Sequence, residues 1–489
     1  MSAKMKRTKK FLCASLALLT LLGSFTACGD GDGDNEETTV SETEASTEAV
    51  TKSEVELEYE RIGKVDWGGG DFGIMVFKDY EHNFYVDRDM VGGGDIMNDA
   101  IYERNTLFEE RCNLNLISIP ASREDTVVRV HAEVQSNSGD FQVGATSTDL
   151  SAGLATSDHL YNWLELDIDY NRSWWDKGAL EFTLGEGVYM MNGTFNVASV
   201  GGTFAMVFNK NEFDRTGRAY PYTTVSEGKW TLDYFESLLA DYSEDNGDNV
   251  WDENDTYAFA SSSGYEDTFF YGSDLKYVKI DEEGEPTFNL VGGQLDKASE
   301  LVERVQTIYH ENNTSMDSTD LHHCFAAFKE GRALMYGDCC AWVISLNKSM
   351  EDDYGVIPIP KYDEKQEKYL TWVSFWPPIF ALPRNIAQTD ILGDVLTVYS
   401  LISHENVYPK YFDVVLSAKS TKDPESIKML EIIFSNRVYD MGKYFSALKM
   451  DWLFFNAIDK NNDTFTSELK SLKRSFTTNV NKILKELEK

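Results

Sequence analysis

Residues 244–255 read EDNGDNVWDEND, six carboxylates and three amides in twelve positions. Numbered as a calcium loop, the stretch places Glu244 at position 1, Asn246 at 3, Asp248 at 5, the Val250 carbonyl at 7, Asp252 at 9 and Asp255 at 12. Hard oxygen ligands at alternate positions, closed by a last carboxylate, can wrap one Ca2+. Glu244 is longer than the usual Asp, Asn249 replaces the turn glycine, and Asp255 is shorter than a bidentate Glu. Asn tolerates the left-handed conformation that such a turn needs. Two readings follow: a structural Ca2+ site of weak extracellular affinity, ~10⁻⁴ to 10⁻³ M, or a water-filled acidic loop. Neither makes it a catalytic acid cluster, and no other cofactor is implied.

The remaining reactive residues form no recognisable constellation. His322-His323-Cys324 lacks a second cluster at metal-ligand spacing. Cys112, Cys324, Cys339 and Cys340 are too few and too irregular for a disulfide framework and read as buried, inert thiols. The chain holds no G-x-S-x-G, H-E-x-x-H or Walker A pattern, which removes the common hydrolase, zincin and P-loop signatures. A glycosidase needs only two carboxylates, so among 82 acidic residues that class stays open as an alternative.

The elements that would position such residues begin with an export signal. Lys4, Lys6, Arg7, Lys9 and Lys10 precede the apolar run FLCASLALLTLLGSFTA, too short for a stable membrane span. Thr26-Ala27-Cys28 resembles the bacterial lipobox, in which the Cys is acylated through its thiol and becomes the first mature residue. Residues 1–27 are therefore read as a lipoprotein signal peptide and Cys28 as the lipid anchor. Residues 28–61, acidic and poor in aliphatics, read as a disordered tether to the membrane surface. At 489 residues the chain needs two or more domains, and a net charge of −37 argues against a nucleic-acid partner.

From residue 62 strands and helices alternate. FGIMVF (72–77), LNLISI (114–119) and FQVGAT (141–146) read as strands around helices over 95–113 and 122–137, a β-α-β-α-β run that predicts a parallel sheet. Asn192-Gly193 between apolar runs predicts a hairpin. FAMVFN (204–209) and ALMYGD (333–338) read as buried strands, the latter ending in a glycine turn. Thr231 is a plausible N-cap for the helix that follows it. Residues 354–385 hold strand, proline-bounded loop and strand. The tail is helical and ends with Leu469, Leu472, Phe476, Val480, Ile483, Leu484 and Leu487 on one face.

In order and spacing, DAIYERN (99–105), DYNRSWWDK (169–177), VFNKNEF (207–213), GKWTLDYFESL (228–238), FKEGRALMYGD (328–338), YGVIPIPKYDEKQEKY (354–369), FALPRN (380–385) and IIFSNRVYDMG (432–442) form a pattern. With it the chain resembles bacterial extracellular solute-binding proteins of the type 1 carbohydrate family, maltose-binding-protein relatives that feed ABC importers. The resemblance implies a two-lobed α/β clamp of the type II periplasmic-binding-protein-like class, with an inter-lobe hinge and a ligand cleft. Lobe 1 would comprise 62–200 plus 374–425, and lobe 2 would comprise 203–372 plus 426–489. The first crossing is expected at Val200-Gly201-Gly202, where glycine permits unusual dihedrals, and the second within TWVSFWPP (371–378). The implied role is a monomeric, lipid-anchored receptor on the outer face of a Gram-positive-type membrane. It would bind a carbohydrate by closure and deliver it to ABC permease subunits without bond-breaking chemistry. A peptide or other small polar solute is the alternative cargo.

Sugar sites pair aromatic platforms with carboxylates and amides. On this reading Trp372, Ser374, Phe375 and Trp376 of the second crossing touch ligand. Asp338 after its strand, Trp452 from the last helical region, and Thr148 and Asp149 after FQVGAT complete the expected set. Cys340 stands where the family often has an aromatic residue, so no stacking platform is expected from that loop. Trp174-Trp175 is read as packing.

Overall fold

The computed structural model describes residues 52–281, 284–311, 313–316, 321–416 and 424–487. The signal peptide, Cys28 and the tether up to residue 51 lie outside them. Among the described residues no helix is long and apolar enough to cross a membrane.

Two four-stranded sheets organise the chain. In the first, Asp71–Phe77 lies between Asn115–Ala121 and Val143–Ser147, parallel to both, and Pro378–Ala381 adds antiparallel to the Val143–Ser147 edge. The β-α-β-α-β reading holds. Its strands are near-continuous apolar runs because helices cover both faces of a parallel sheet. Those helices start where the sequence supplies a cap. Asp95 accepts from the amides of Met97 and Asn98 at the head of Ile96–Cys112, and Ser122 accepts from Asp125 at the head of Arg123–Ser136. Both end on an Asn in the left-handed region, Asn113 and Asn137.

The second sheet has the order Tyr354–Ile357, Phe204–Asn209, Ala333–Cys339, Tyr257–Ser261. Ala333–Cys339 runs parallel to Tyr257–Ser261 and antiparallel to Phe204–Asn209. It does not stop at a glycine turn. Gly337 continues the strand, and a Cβ there would meet the Tyr265 ring at 2.4 Å. The C-terminal helix Phe465–Leu487 buries Leu469, Phe476, Val480 and Ile483, as its spacing predicts.

Three expectations are corrected. Residues 54–61, assigned to the tether, belong to a helix, Glu54–Ile62. Ser53 and Glu56 make a reciprocal capping box, and Tyr59 packs under Arg111, whose guanidinium lies 3.7 Å from the ring centroid. Asn192-Gly193 forms no hairpin because both residues are buried and committed elsewhere. The Asn192 amide donates to Ser199 Oγ at 2.6 Å, and Gly193 pairs with Trp175. Gly202 adopts φ −79°, so it is not present for a left-handed turn. A Cβ there would lie 2.4 Å from Cγ of Pro377. The glycine is required by contact between the two crossings.

The chain leaves the first sheet after Met191, which bridges Phe380, and enters the second at Phe204. It returns through 373–378. Thr203 bridges Val373, and the Ser374 amide donates to the Gly202 carbonyl at 2.8 Å. One apolar cluster runs through both sheets by way of Met190, Phe195, Phe204, Trp372 and Val373.

Gly202→Ala is expected to cost about 1–3 kcal/mol through overpacking, read in urea as a lower midpoint at constant slope. An unchanged midpoint would show that the Pro377 ring yields freely.

Candidate functional site

Because Ala333–Cys339 and Tyr257–Ser261 are parallel neighbours, their C-terminal ends share one edge of the second sheet. Register places Phe204 opposite Cys339 at that edge. Ligands of α/β sheets bind where such ends open. Here the edge opens into a cleft of about 280 Å³, close to the lower end of small-ligand pockets. Ser262, Gly264 and Asp267 line one wall, Asp338 and Cys339 the floor, and Trp372, Ser374, Phe375 and Trp376 the crossing side. Trp342 and Trp452 complete the rim.

The tryptophans divide by exposure. Trp342, Trp376 and Trp452 keep 43%, 49% and 42% of their surface. Isolated exposed apolar residues need no explanation, but three indoles from three elements facing one cleft do. Trp372 is 2% exposed: Phe204 stacks on its ring at 4.9 Å and 9°, and Tyr271 at 5.9 Å and 27°. Neighbouring rings occupy its faces, so it shapes the cleft from beneath instead of serving as a platform. Trp376 stacks on Phe375 at 5.8 Å, with the Arg123 guanidinium 4.8 Å from its centroid.

Asp338 is 5% exposed and accepts hydrogen bonds from Tyr336 Oη and from the Cys339 amide at 2.6 Å. Burial pushes its carboxyl above the ordinary range, and those donors pull it back. Asp267 is likewise raised by burial and opposed by Lys443, whose Nζ lies 2.5 Å from its Oδ2. The cleft thus presents indole faces and hydrogen-bond-accepting carboxylates side by side.

Six of the eight expected ligand residues line this cleft: Trp372, Ser374, Phe375, Trp376, Asp338 and Trp452. Thr148 lies behind it, with its amide donating to the Phe375 carbonyl at 3.0 Å and its hydroxyl to the Pro377 carbonyl at 3.3 Å. Its role is to anchor the crossing to the first sheet. Asp149 pairs with Arg123 and borders an adjoining hollow of about 270 Å³, which shares Phe375 and Trp452 with the cleft. Contrary to the expectation for the loop at Cys340, it does bring an aromatic ring to the cleft, Trp342, two residues on. Sequence reasoning missed it, although a signal existed: Cys340, Val343 and Leu346 mark the buried side of the helix Cys340–Ser349, and Trp342 falls off it. The Lys443–Asp267 pair, 176 residues apart, carries no local signal.

The acidic loop lies at the other end of the Tyr257–Ser261 strand, away from the cleft. The Asp255 carboxylate is buried and accepts from the amides of Asn246 at 2.8 Å and Asp252 at 2.6 Å. Asn246, Asp248 and Asp252 each accept an amide two residues on, and Asn249 takes the left-handed φ of 65°. The side chains therefore cap their own loop. Among the described residues no three His, Cys, Asp or Glu groups gather as a metal site, and of the expected shell (Glu244, Asn246, Asp248, Val250, Asp252 and Asp255) the side chains of Asn246, Asp248, Asp252 and Asp255 accept from the loop's own amides, which fits the self-capped reading. None of the four described cysteines is in a disulfide, and Cys112, Cys324 and Cys340 are buried.

No protein-family model matches the chain, and no curated protein does. Solved structures do. The maltose/maltodextrin-binding domain MalE from Bdellovibrio bacteriovorus, bound to maltotriose, superposes with a TM-score of 0.54 at 14% identity, covering 84% of this chain and 100% of that one. MalE from Listeria monocytogenes with maltose gives 0.54 at 13%, covering 84% and 98%. MalX from Streptococcus pneumoniae with maltopentaose gives 0.51 at 14%, covering 83% and 99%. The chain has their fold, a two-lobed type II periplasmic-binding-protein-like clamp with a cleft between its lobes.

Trp372→Ala is expected to lose about 3–5 kcal/mol of stability, whereas Trp376→Ala should stay within about 0.5 kcal/mol of the parent. Urea denaturation of the two variants checks the split, and equal losses would place both rings in the core.

Proposed function

We propose that this protein is an extracellular substrate-binding receptor of an ABC importer. It captures an oligosaccharide by closing its two lobes and hands it intact to membrane permease subunits. The observation that carries the reading is the convergence of Trp342, Trp376 and Trp452 on a cleft floored by Asp338. Apolar sugar faces need flat rings, and hydroxyl edges need fixed acceptors. Ligand residues on this reading are Trp376, Trp452, Phe375, Ser374 and Asp338, with Trp372 beneath them and Asp149 in the adjoining hollow. The relatives of the same fold that hold maltotriose, maltose and maltopentaose support a carbohydrate cargo. A preference of the ligand for the closed form is the whole mechanism, and it requires neither cofactor nor catalytic residue.

The lobes divide as 62–200 plus 374–425 and 203–372 plus 426–489, with helix 54–62 added to the first, since it packs against the Thr389–Ile402 helix. A signal peptide over 1–27 and acylation of Cys28 would hold the monomeric body on the outer face of the membrane. The loop at 244–255 is a brace that keeps its shape through its own hydrogen bonds, with calcium dispensable.

Thermal-shift screening against maltotriose, maltopentaose and a control tripeptide tests the cargo. A sugar at about 100 times its Kd adds about 2.7 kcal/mol to the bound form, and chromatography should recover it uncleaved. Trp376→Ala should weaken that sugar about tenfold. Stabilisation by the peptide alone, or cleavage of the sugar, would replace this reading.

Chelation by EDTA is expected to leave the melting temperature unchanged. A fall that added Ca2+ reverses would return the loop to the metal sites.

A further inference from the structure

Lys443 is 3% exposed, yet it carries an ammonium into the wall between the cleft and the adjoining hollow. Its Nζ lies 2.5 Å from Asp267 Oδ2 and 2.5 Å from the Asp451 carbonyl. The same nitrogen sits 4.4 Å from the Trp452 ring centroid, 5.0 Å from Trp372 and 5.9 Å from Phe375. One charge thus ties together helix Glu266–Gly272, the crossing loop and the segment that ends at Trp452.

We propose that the buried Lys443–Asp267 pair is the positioning element of this site, fixing the Trp452 and Phe375 rings where they wall the cleft. The inference rests on the reading of the cleft as a ligand site.

A purely stabilising role explains the pair poorly. Replacing both members of a buried ion pair with neutral groups is often neutral or stabilising, because desolvation consumes the Coulombic gain. Lys443 is also not needed to hold its own short helix. Asp440 caps it through the Gly442 amide at 2.8 Å and accepts from the Tyr277 amide at 2.6 Å, while Tyr444 Oη donates to the Val373 carbonyl at 2.6 Å. Trp452 is held more loosely: its indole is half-exposed and meets Phe375 and Phe455 only edge-on, at 5.6 and 5.5 Å, so the Lys443 cation 4.4 Å from its centroid is the charged contact on its face.

The test is the double variant Lys443→Met/Asp267→Asn in the full-length protein. It is compared with Lys443→Arg, which retains a cation for both the pair and the rings. Protein labelled with 5-fluorotryptophan gives one fluorine resonance per indole, that of Trp452 being assigned by Trp452→Phe. The double variant should melt within about 2 °C of the parent, with the Trp452 resonance shifted and broadened and that of buried Trp163 unmoved. Lys443→Arg should keep the parental Trp452 resonance. With maltotriose as probe, affinity should fall about tenfold in the double variant. An unmoved Trp452 resonance overturns the proposal, as does a double variant that melts far below the parent, which would make the pair a stabilising one. If maltotriose fails to bind the parent, it is the cargo reading that loses support, and the fluorine resonance still decides the positioning role.

Discussion

Two stretches of chain pass between the sheets, and they pass in contact. The Gly202 carbonyl accepts from Ser374, Thr203 bridges Val373, and the bare Cα of Gly202 lies under the Pro377 ring. On the opposite flank the Phe375 carbonyl accepts from the Thr148 amide, where the first sheet ends. The loop bearing Trp372, Phe375 and Trp376 is therefore fastened to both sheets within a few residues. Any rotation of one sheet against the other must be taken up in this loop or beside it. A ligand lying on its rings would sense the relative position of the lobes, and such sensing is what closure requires.

The surrounding interior is unusually polar for a junction that must stay closed to water. Asn196 Nδ2 donates to Asn192 Oδ1 at 3.0 Å, Asn192 donates to Ser199 and Tyr439, and Tyr439 Oη donates to Asp176, which pairs with Arg437 at 3.0 Å. Buried groups of this kind cost stability unless each finds a partner. Here the bonds from Asn192 and Asp176 to Tyr439 and Arg437 join segments more than 200 residues apart, so the network forms only when the 176–199 segment meets residues 437–439. An apolar junction would hold as well but would define its own geometry less sharply.

How much of this was legible depended on the range of the interaction. The strands at 72–77, 204–209 and 333–338, the helix cap at Thr231, and the apolar face of the last helix are local patterns, and the structure follows them. The crossings emerged from a resemblance, and Gly202 was identified for the wrong physical reason, since a close approach to Pro377 leaves no trace in local sequence. Asn192-Gly193 shows the limit of turn rules: the pair has hairpin chemistry, but burial and long-range bonds claimed it first. The acidic loop shows a similar limit. Alternating Asp and Asn residues suit a metal loop and a self-capping loop equally, and only the inward turn of Asp255 separates them.

Charge adds a constraint that shape alone does not. Asp267 in the cleft is neutralised by Lys443, but no cation pairs with Asp338 among the described ion pairs, and the whole chain carries −37. An anionic group held about 6 Å from the Asp338 carboxylate at an effective dielectric of about 20 would be repelled by roughly 3 kcal/mol, a factor of about 100 in affinity. A neutral hydroxyl at hydrogen-bond distance gains a charge-assisted bond of roughly 1.5–3 kcal/mol instead. The two effects act in the same direction. On the proposed reading the floor of the cleft would favour uncharged donors over carboxylated or phosphorylated ones, while the indoles of Trp342, Trp376 and Trp452 would favour flat apolar faces. An unmodified sugar ring offers both.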